Sequence, residues 1–198
     1  KPLLQHNIEL CRKYKIHDIC INLHYKPNTI TDFFGDGKQF DVNIKYFYEP
    51  ELLGTSGSIK NITKNDSYFI NNPFFIIYGD NYSNYNLNLL KSNNIATIAF
   101  HYRKDITNSG VAEFDKNNRI KLFIEKPKNN ETSSHWVNAG IYYLQPEILN
   151  FIPDGYSDFG KNIFPLLLKQ NIPIYGVCKK FKVLAFDTPE MLSKNIIG

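Results

Sequence analysis

The chain has 198 residues, 42% hydrophobic and 21% charged, with a formal net charge of +4. This is long enough for one domain with a real core, and the composition is that of a folded globular protein. No apolar run nears the ~18 residues of a membrane span, and the densest basic clusters, Cys11 to Lys15 and Cys178 to Lys182, read as solvated faces rather than a nucleic-acid stripe.

The first element is a helix, because Leu3, Leu4, Ile8, Leu10 and Cys11 recur at helical spacing. "DICINL" follows as a buried strand, and "TITDFFGDG" as a short helix ended by Gly35 and Gly37. "NIKYFYE" alternates and is rich in β-formers, so it predicts a strand. "TSGSIKNI" opens a helix with hydroxyl and glycine residues. "PFFIIYGD" is a continuous apolar run, which suits a strand covered on both faces. "NLNLLKSN" predicts a helix and "ATIAFHY" the next strand, so strands and helices alternate as in an open α/β sheet.

The pattern then changes. "GVAEFDKNNRIKLFIEKP" predicts an antiparallel hairpin around a polar Asp-Lys-Asn-Asn turn. "WVNAGIYYL" is a further strand, and residues 159–169 are helical. "IPIYGVC" and "KVLAF" predict two more strands, and "TPEMLSKNI" a closing helix. Cys11, Cys20 and Cys178 are far apart and the five histidines form no cluster. These features point to reduced thiols in a cytoplasmic protein without a zinc site.

Three stretches can carry chemistry, since ligands of open α/β sheets gather beyond the carboxyl ends of the strands. Asp80 follows a buried strand and can hold a divalent cation against phosphate oxygens, or simply cap a turn. In "EPELLGTSGSIK", Gly54 and Gly57 let backbone N–H groups approach a nucleotide, or form an ordinary turn. It is not a Walker A loop, and the chain has no G-x-G-x-x-G. In "FIEKP", Glu125 can bind sugar hydroxyls and Lys126 a phosphate, or the two form a surface ion pair.

Taken in order, "KPLLQHNIE", "INLHY…ITDFFGDG", "IKYFYEPELLGTSGSIK", "FFIIYGDN", "GVAEFDKNNRIKLFIEKP", "VNAGIYYLQPEIL", "SDFGKNIFPLLL" and "FDTPEML" resemble the sugar-1-phosphate nucleotidylyltransferases. The resemblance is greatest to the mannose-1-phosphate guanylyltransferase-like group, which includes heptose-phosphate enzymes. It implies a single domain over residues 1–198. The fold would be three-layer α/β/α and Rossmann-like, with a mixed, mostly parallel sheet.

It also implies a reaction between a nucleoside triphosphate, GTP favoured, and a mannose- or heptose-type sugar 1-phosphate, with Mg²⁺ as cofactor. Asp80 and Asp187 would ligate the metal, and Asp80 and Lys126 would be catalytic. Glu49, Gly54, Thr55 and Gly57 would border the nucleotide. Gly110, Glu125, Lys126, Asn138 and Gly140 would form the sugar pocket. No nucleic-acid or membrane partner is implied, and a homo-oligomer stays open. Asp187 stands directly before Thr188, whereas many members carry Asp-Ile-Gly-Thr-Pro at that point.

The family opens on a strand and a Gly-rich loop of the G-G-x-G-T-R kind that cradles the triphosphate. "KPLLQHNIE" corresponds to a later Lys-Pro, so Lys1 is not the catalytic lysine and that strand and loop fall outside this numbering. Residues 1–198 alone are therefore expected to be inactive and poorly stable. Two alternatives stand beside the enzyme reading: a silent nucleotidyltransferase-like subunit or sugar-nucleotide sensor, and a thymidylyl-, uridylyl- or cytidylyltransferase acting on glucose 1-phosphate. A metal-dependent glycosyltransferase ranks behind both, because Asp80 is followed by Asn81 and Tyr82 rather than completing Asp-x-Asp.

Overall fold

A computed structural model describes residues 1–128 and 130–186. Helix α1 (Leu3–Lys13) leads into strand β1 (Asp18–Leu23). Helix α2 (Pro27–Phe34) starts on a proline, whose fixed φ suits a first helical turn, and ends at Gly35 (φ 53°). Strand β2 (Asn43–Tyr48) pairs in parallel with β1, and helix α3 (Gly54–Thr63) follows. These boundaries match the sequence reading closely, because each is set by local punctuation.

A short helix α4 (Tyr68–Asn71) precedes strand β3 (Phe74–Ile77). Next come the three-residue strand β4 (Asn81–Ser83) and strand β5 (Ala96–Tyr102). The predicted hairpin is β6 (Gly110–Phe114) and β7 (Ile120–Glu125), and β8 spans Trp136–Leu144. A π-turn (Phe159–Ile163) runs into α5 (Phe164–Lys169), followed by β9 (Tyr175–Cys178) and β10 (Val183–Ala185). The closing helix expected from "TPEMLSKNI" lies outside the described residues.

Six of these strands form one sheet in the order β7-β6-β8-β5-β9, with β3 also paired to β8. Strands β3, β5 and β6 all run antiparallel to β8, and β9 runs parallel to β5. Four strands therefore share one direction, against β7 and β8. The sheet is mixed, as expected, with most of its strands pointing one way although, among the described residues, β5–β9 is its one parallel ladder.

Alternation along the strands supplies two apolar faces. Ile98, Phe100, Tyr142 and Leu144 point to one side, where Phe159, Ile163, Phe164 and Leu167 cover them. Ala99, Ala139 and Ile141 point to the other, under Leu10, Leu87 and Leu90. Each large apolar side chain buried this way contributes ~1.5–3 kcal/mol. Helix α1 also uses Ile8 to cover Ile21, Leu23 and Ile44 on the β1–β2 pair, so it spans two apolar clusters. Helices on both faces make the three layers.

β3 departs from expectation. The apolar run predicted a strand covered on both faces, yet Phe75, Ile76 and Ile77 are only half-buried. The reason is its surroundings. β3 pairs with β8, while β1 pairs only with β2 among the described strands. Between β1 and β3 lies a cavity of about 500 Å³, walled by Ile19, Ile21, Ile76 and Tyr78. Similarly, "NLNLLKSN" forms only a 3₁₀ turn at Leu87–Leu90, with Asn86 accepting from the Asn88 N–H at 3.1 Å.

Candidate functional site

The glycines of "LLGTSGS" serve the chain's own backbone. Gly54 has φ 73°, and a Cβ there would meet the Ser157 carbonyl oxygen at 2.4 Å; a Cβ on Gly57 would meet the Gly155 oxygen at 2.3 Å. The N–H groups of Ser56 and Gly57, expected to face a nucleotide, both donate to the Ser157 carbonyl at 3.0 Å. Ser157 N–H returns a bond to the Leu53 carbonyl at 2.9 Å. The close approach that both glycines permit is to residues 155–157 of the chain itself.

Glu49 also turns inward. It is 1% exposed, and its Oε2 accepts from the Leu53 N–H at 3.3 Å at the entrance to α3. It therefore shapes the approach to α3 rather than presenting a carboxylate at the surface. Thr55 donates its hydroxyl to Asp158 Oδ2 at 2.8 Å and accepts from the Phe159 N–H at 3.0 Å. Asp158 Oδ1 takes the Lys161 N–H at 3.0 Å, so this carboxylate caps the π-turn.

Glu125 and Gly110 are register partners at the open end of the β6–β7 hairpin. Glu125 Oε2 lies where a Cβ on Gly110 or on Gly160 would come within 2.7 or 2.6 Å of it. Burial pushes the Glu125 carboxyl above its usual pKa, and the charge of Asp158 pushes it further; Lys126 and Lys161 oppose the shift. None of the ion pairs among the described residues joins Glu125 to Lys126, so the surface-pair reading of "FIEKP" is not what forms. Lys126 is exposed in the left-handed region (φ 55°), its N–H donating to the Ser109 carbonyl at 3.1 Å. An L-residue held there stores strain of a kind found at functional sites.

Asn138 and Gly140 occupy a bulge. Ile98 pairs with Tyr142 and Phe100 with Asn138, so β8 carries two extra residues against β5. On its other edge β8 changes partner here, from β6 at Val137 to β3 at Ile141. Gly140 has φ 68°, and a Cβ would collide with the Tyr78 ring at 2.7 Å. That contact accounts for the glycine at this position. Asn138 accepts from the Gly140 N–H at 2.9 Å and donates to Tyr142 Oη at 2.7 Å.

Asp80 is exposed just beyond β3, and its carbonyl accepts from the Phe186 N–H at 3.0 Å. The β4–β10 ladder, with Ala185 opposite Asn81, brings the chain to this point. Asp187, the second expected metal ligand, lies outside the described residues. Among the described residues no group of three or more His, Cys, Asp or Glu side chains could hold a metal ion. One exposed carboxylate still fits Mg²⁺, which takes few protein ligands and completes its shell with phosphate oxygens and water.

The structure thus brings the expected residues into two groups. Thr55 and Asp80 line the same cavity, together with Asn22, Ser58 and Tyr78. Gly110, Glu125 and Lys126 gather at the hairpin end. Asp158 lies between them: it accepts from Thr55, and a Cβ on Gly160 would stand 3.5 Å from its Oδ1 and 2.6 Å from Glu125 Oε2. Sequence reasoning did not single out Asp158. Its available signal was "SDFGK", an acidic residue opening a helical turn.

Residues 1–183 match the family described as "Nucleotidyl transferase". A UTP–glucose-1-phosphate uridylyltransferase from Synechocystis is 30% identical over 92% of this chain and 51% of its own length. A mannose-1-phosphate guanyltransferase from Saccharomyces cerevisiae is 30% identical over 86% of this chain and 48% of its own. The chain therefore spans about half the length of these curated relatives. Among solved structures, HddC from Yersinia pseudotuberculosis aligns with a TM-score of 0.80 at 22% identity, over 98% of this chain and 84% of that one. The mixed sheet between helical layers is the fold shared with HddC, and the chain belongs to the nucleotidyl transferase family.

Proposed function

We propose that this chain carries the sugar-side and metal-side residues of an enzyme that joins a nucleoside triphosphate to a sugar 1-phosphate. A phosphate oxygen of the sugar 1-phosphate attacks the α-phosphorus. The α–β phosphoanhydride bond breaks, and pyrophosphate leaves with its electron pair. The protein's part is to align two anions and neutralise their charge.

The observation that carries this reading is that the two groups of expected residues meet at Gly160: Thr55 donates to Asp158 at 2.8 Å, and a Cβ on Gly160 would stand 3.5 Å from Asp158 Oδ1 and 2.6 Å from Glu125 Oε2. Glu125, which has no ion-pair partner among the described residues, would accept hydrogen bonds from sugar hydroxyls. Lys126 would pair with the sugar phosphate. Thr55 and its neighbours would border the nucleotide. Asp80 would hold Mg²⁺, with Asp187 as a second carboxylate; the ion, when bound, neutralises charge on the phosphates. GTP with a mannose- or heptose-type sugar 1-phosphate is the favoured pair. UTP with glucose 1-phosphate competes with it, being the chemistry named for the Synechocystis relative.

The test is pyrophosphate release by the full natural polypeptide, with Mg²⁺, over a grid of four nucleotides and several sugar 1-phosphates. One pair should turn over well above the rest, and Asp80→Asn should cut its rate at least ~100-fold. Near-normal turnover by Asp80→Asn would remove Asp80 from the reaction. No release with any pair would favour a silent subunit.

A further inference from the structure

The residues read as the sugar side sit on two supports. Gly110, Glu125 and Lys126 belong to the β6–β7 hairpin and its end, and Asn138 belongs to β8. β8 is laddered along its length to β5 and β3. To β6 it is joined, among the described residues, by the single register pair Val111 with Val137. One step from that pair along each antiparallel strand stand Gly110 and Asn138. A slip of the hairpin against β8 would therefore move Glu125 and Lys126 relative to Asn138.

The connection from β7 to β8 supplies the hold that this short ladder lacks. β7 and β8 flank β6 on opposite sides, so the chain has to pass over the end of β6 between Glu125 and Trp136. It is tied to the β6 segment at three places. The Lys126 N–H donates to the Ser109 carbonyl at 3.1 Å. Farther on, the Ser134 hydroxyl donates to the Ala112 carbonyl at 2.6 Å, and the Thr132 hydroxyl donates to Glu113 Oε1 at 2.6 Å. The proton positions are fixed. Ser134 Oγ accepts from the Trp136 N–H at 3.2 Å, and Thr132 Oγ1 accepts from the Ser134 N–H at 3.0 Å. A backbone N–H can only donate, so each hydroxyl spends its one proton on β6. The Glu113 carboxylate offers acceptors and ends the series, and a bond to such a group is of the stronger kind. Glu113, Thr132 and Ser134 are half-buried, so a lost partner is only partly replaced by water.

We propose that Glu113, acting through the Thr132 hydroxyl, is a positioning residue for sugar 1-phosphate: it holds the β7–β8 connection on β6 and so sets Glu125 and Lys126 against Asn138. That these three residues face the sugar 1-phosphate rests on the functional reading above. Glu113 and Thr132 act through them and do not touch the substrate. A small displacement of such groups is enough to weaken a bound anion. Thr132→Val keeps the shape of the side chain and removes the hydroxyl. Glu113→Ala removes its acceptor.

The experiment is steady-state kinetics of the full natural polypeptide and its variants, with Mg²⁺ and the nucleotide and sugar 1-phosphate that wild type turns over fastest, beside hydrogen exchange of the same proteins. Thr132→Val and Glu113→Ala should each raise the KM for sugar 1-phosphate by about tenfold, the scale of one hydrogen bond. The KM for the nucleotide should stay within about twofold, because Thr55 and Asp80 stand outside the hairpin, a split that a general loss of stability would not give. The double variant should lose no more than the weaker single one, since both cut one bond. Thr132→Ser keeps the hydroxyl and should restore the wild-type KM. Exchange of the peptide carrying the Lys126 N–H should speed up in Thr132→Val while that of β5 stays unchanged. If Glu113→Ala melts early, Thr132→Val carries the test from the other side of the bond. A wild-type KM in Thr132→Val, equal rises for both substrates, or unchanged exchange at Lys126 would overturn the proposal. If wild type turns over no pair, the functional reading itself falls, and the positioning role with it.

Discussion

Glu125 is seated against Gly160: a Cβ on that glycine would stand 2.6 Å from the Glu125 Oε2 atom. The obstructed atom is the tip of a flexible side chain, which can move aside. Gly160→Ala should therefore fold and melt close to wild type while weakening sugar 1-phosphate binding several-fold. Gly57→Ala is the contrast, since its Cβ would strike the Gly155 backbone oxygen at 2.3 Å. That backbone cannot retreat without breaking the bonds to Ser157. Gly57→Ala should cost about 2 kcal/mol or more, a fall in melting temperature of roughly 5 °C. Thermal melts of both variants beside ligand titrations check the pair.

Lys126 separates charge from backbone strain. Its φ of 55° costs an L-residue about 1 kcal/mol that glycine does not incur. Lys126→Gly should therefore be as stable as wild type or slightly more so. Losing the ammonium should still raise the KM for sugar 1-phosphate by about tenfold or more, on the scale of a charge-assisted bond. A Lys126→Gly enzyme with an unchanged KM would assign the strain to the turn alone.

Glu125 predicts a pH dependence of stability. Its pKa is raised above the ordinary 4.5, first by burial and then by Asp158. The folded chain thus holds this proton more tightly than the unfolded one. The stability this lends is complete below pH 4.5 and is lost as pH rises through the raised value. Glu125→Gln removes the titration, so at pH 7 it should melt at or above the wild-type temperature while binding sugar 1-phosphate more weakly. A lower melting point at pH 7 would mean that the ionised carboxylate has a stabilising partner.

His101 titrates with the opposite consequence. It is buried in β5 opposite Val137 and beside the Phe181 ring, and burial, helped by Arg103, lowers its pKa to about 4. Its stability contribution is present above pH 6.5 and is lost as pH falls from 6.5 toward 4. The melting temperature should drop between pH 7 and pH 5, and His101→Gln should flatten that slope. An equally steep profile in the variant would assign the acid sensitivity to other groups.

The sequence by itself determined the elements and the family. β1, β5 and β8 match the quoted strands "DICINL", "ATIAFHY" and "WVNAGIYYL", because β-branched and aromatic runs between turn residues have few other ways to pair their backbone. Ordered motifs then marked Asp80, Thr55, Glu125 and Lys126 as candidates. What the sequence could not hold was what each residue meets. β4 is only three residues long and exists as a strand because β10 lies beside it. Gly54 and Gly57 read as places of close backbone approach, and only the fold shows that the chain's own Ser157 and Gly155 lie there, as Tyr78 does at Gly140. Thr55 finds Asp158 across 103 positions. Periodicity records which side of an element is buried, since that is a property of neighbouring residues. The partner on that side comes from another segment, and only packing the sheets and their helices together selects it.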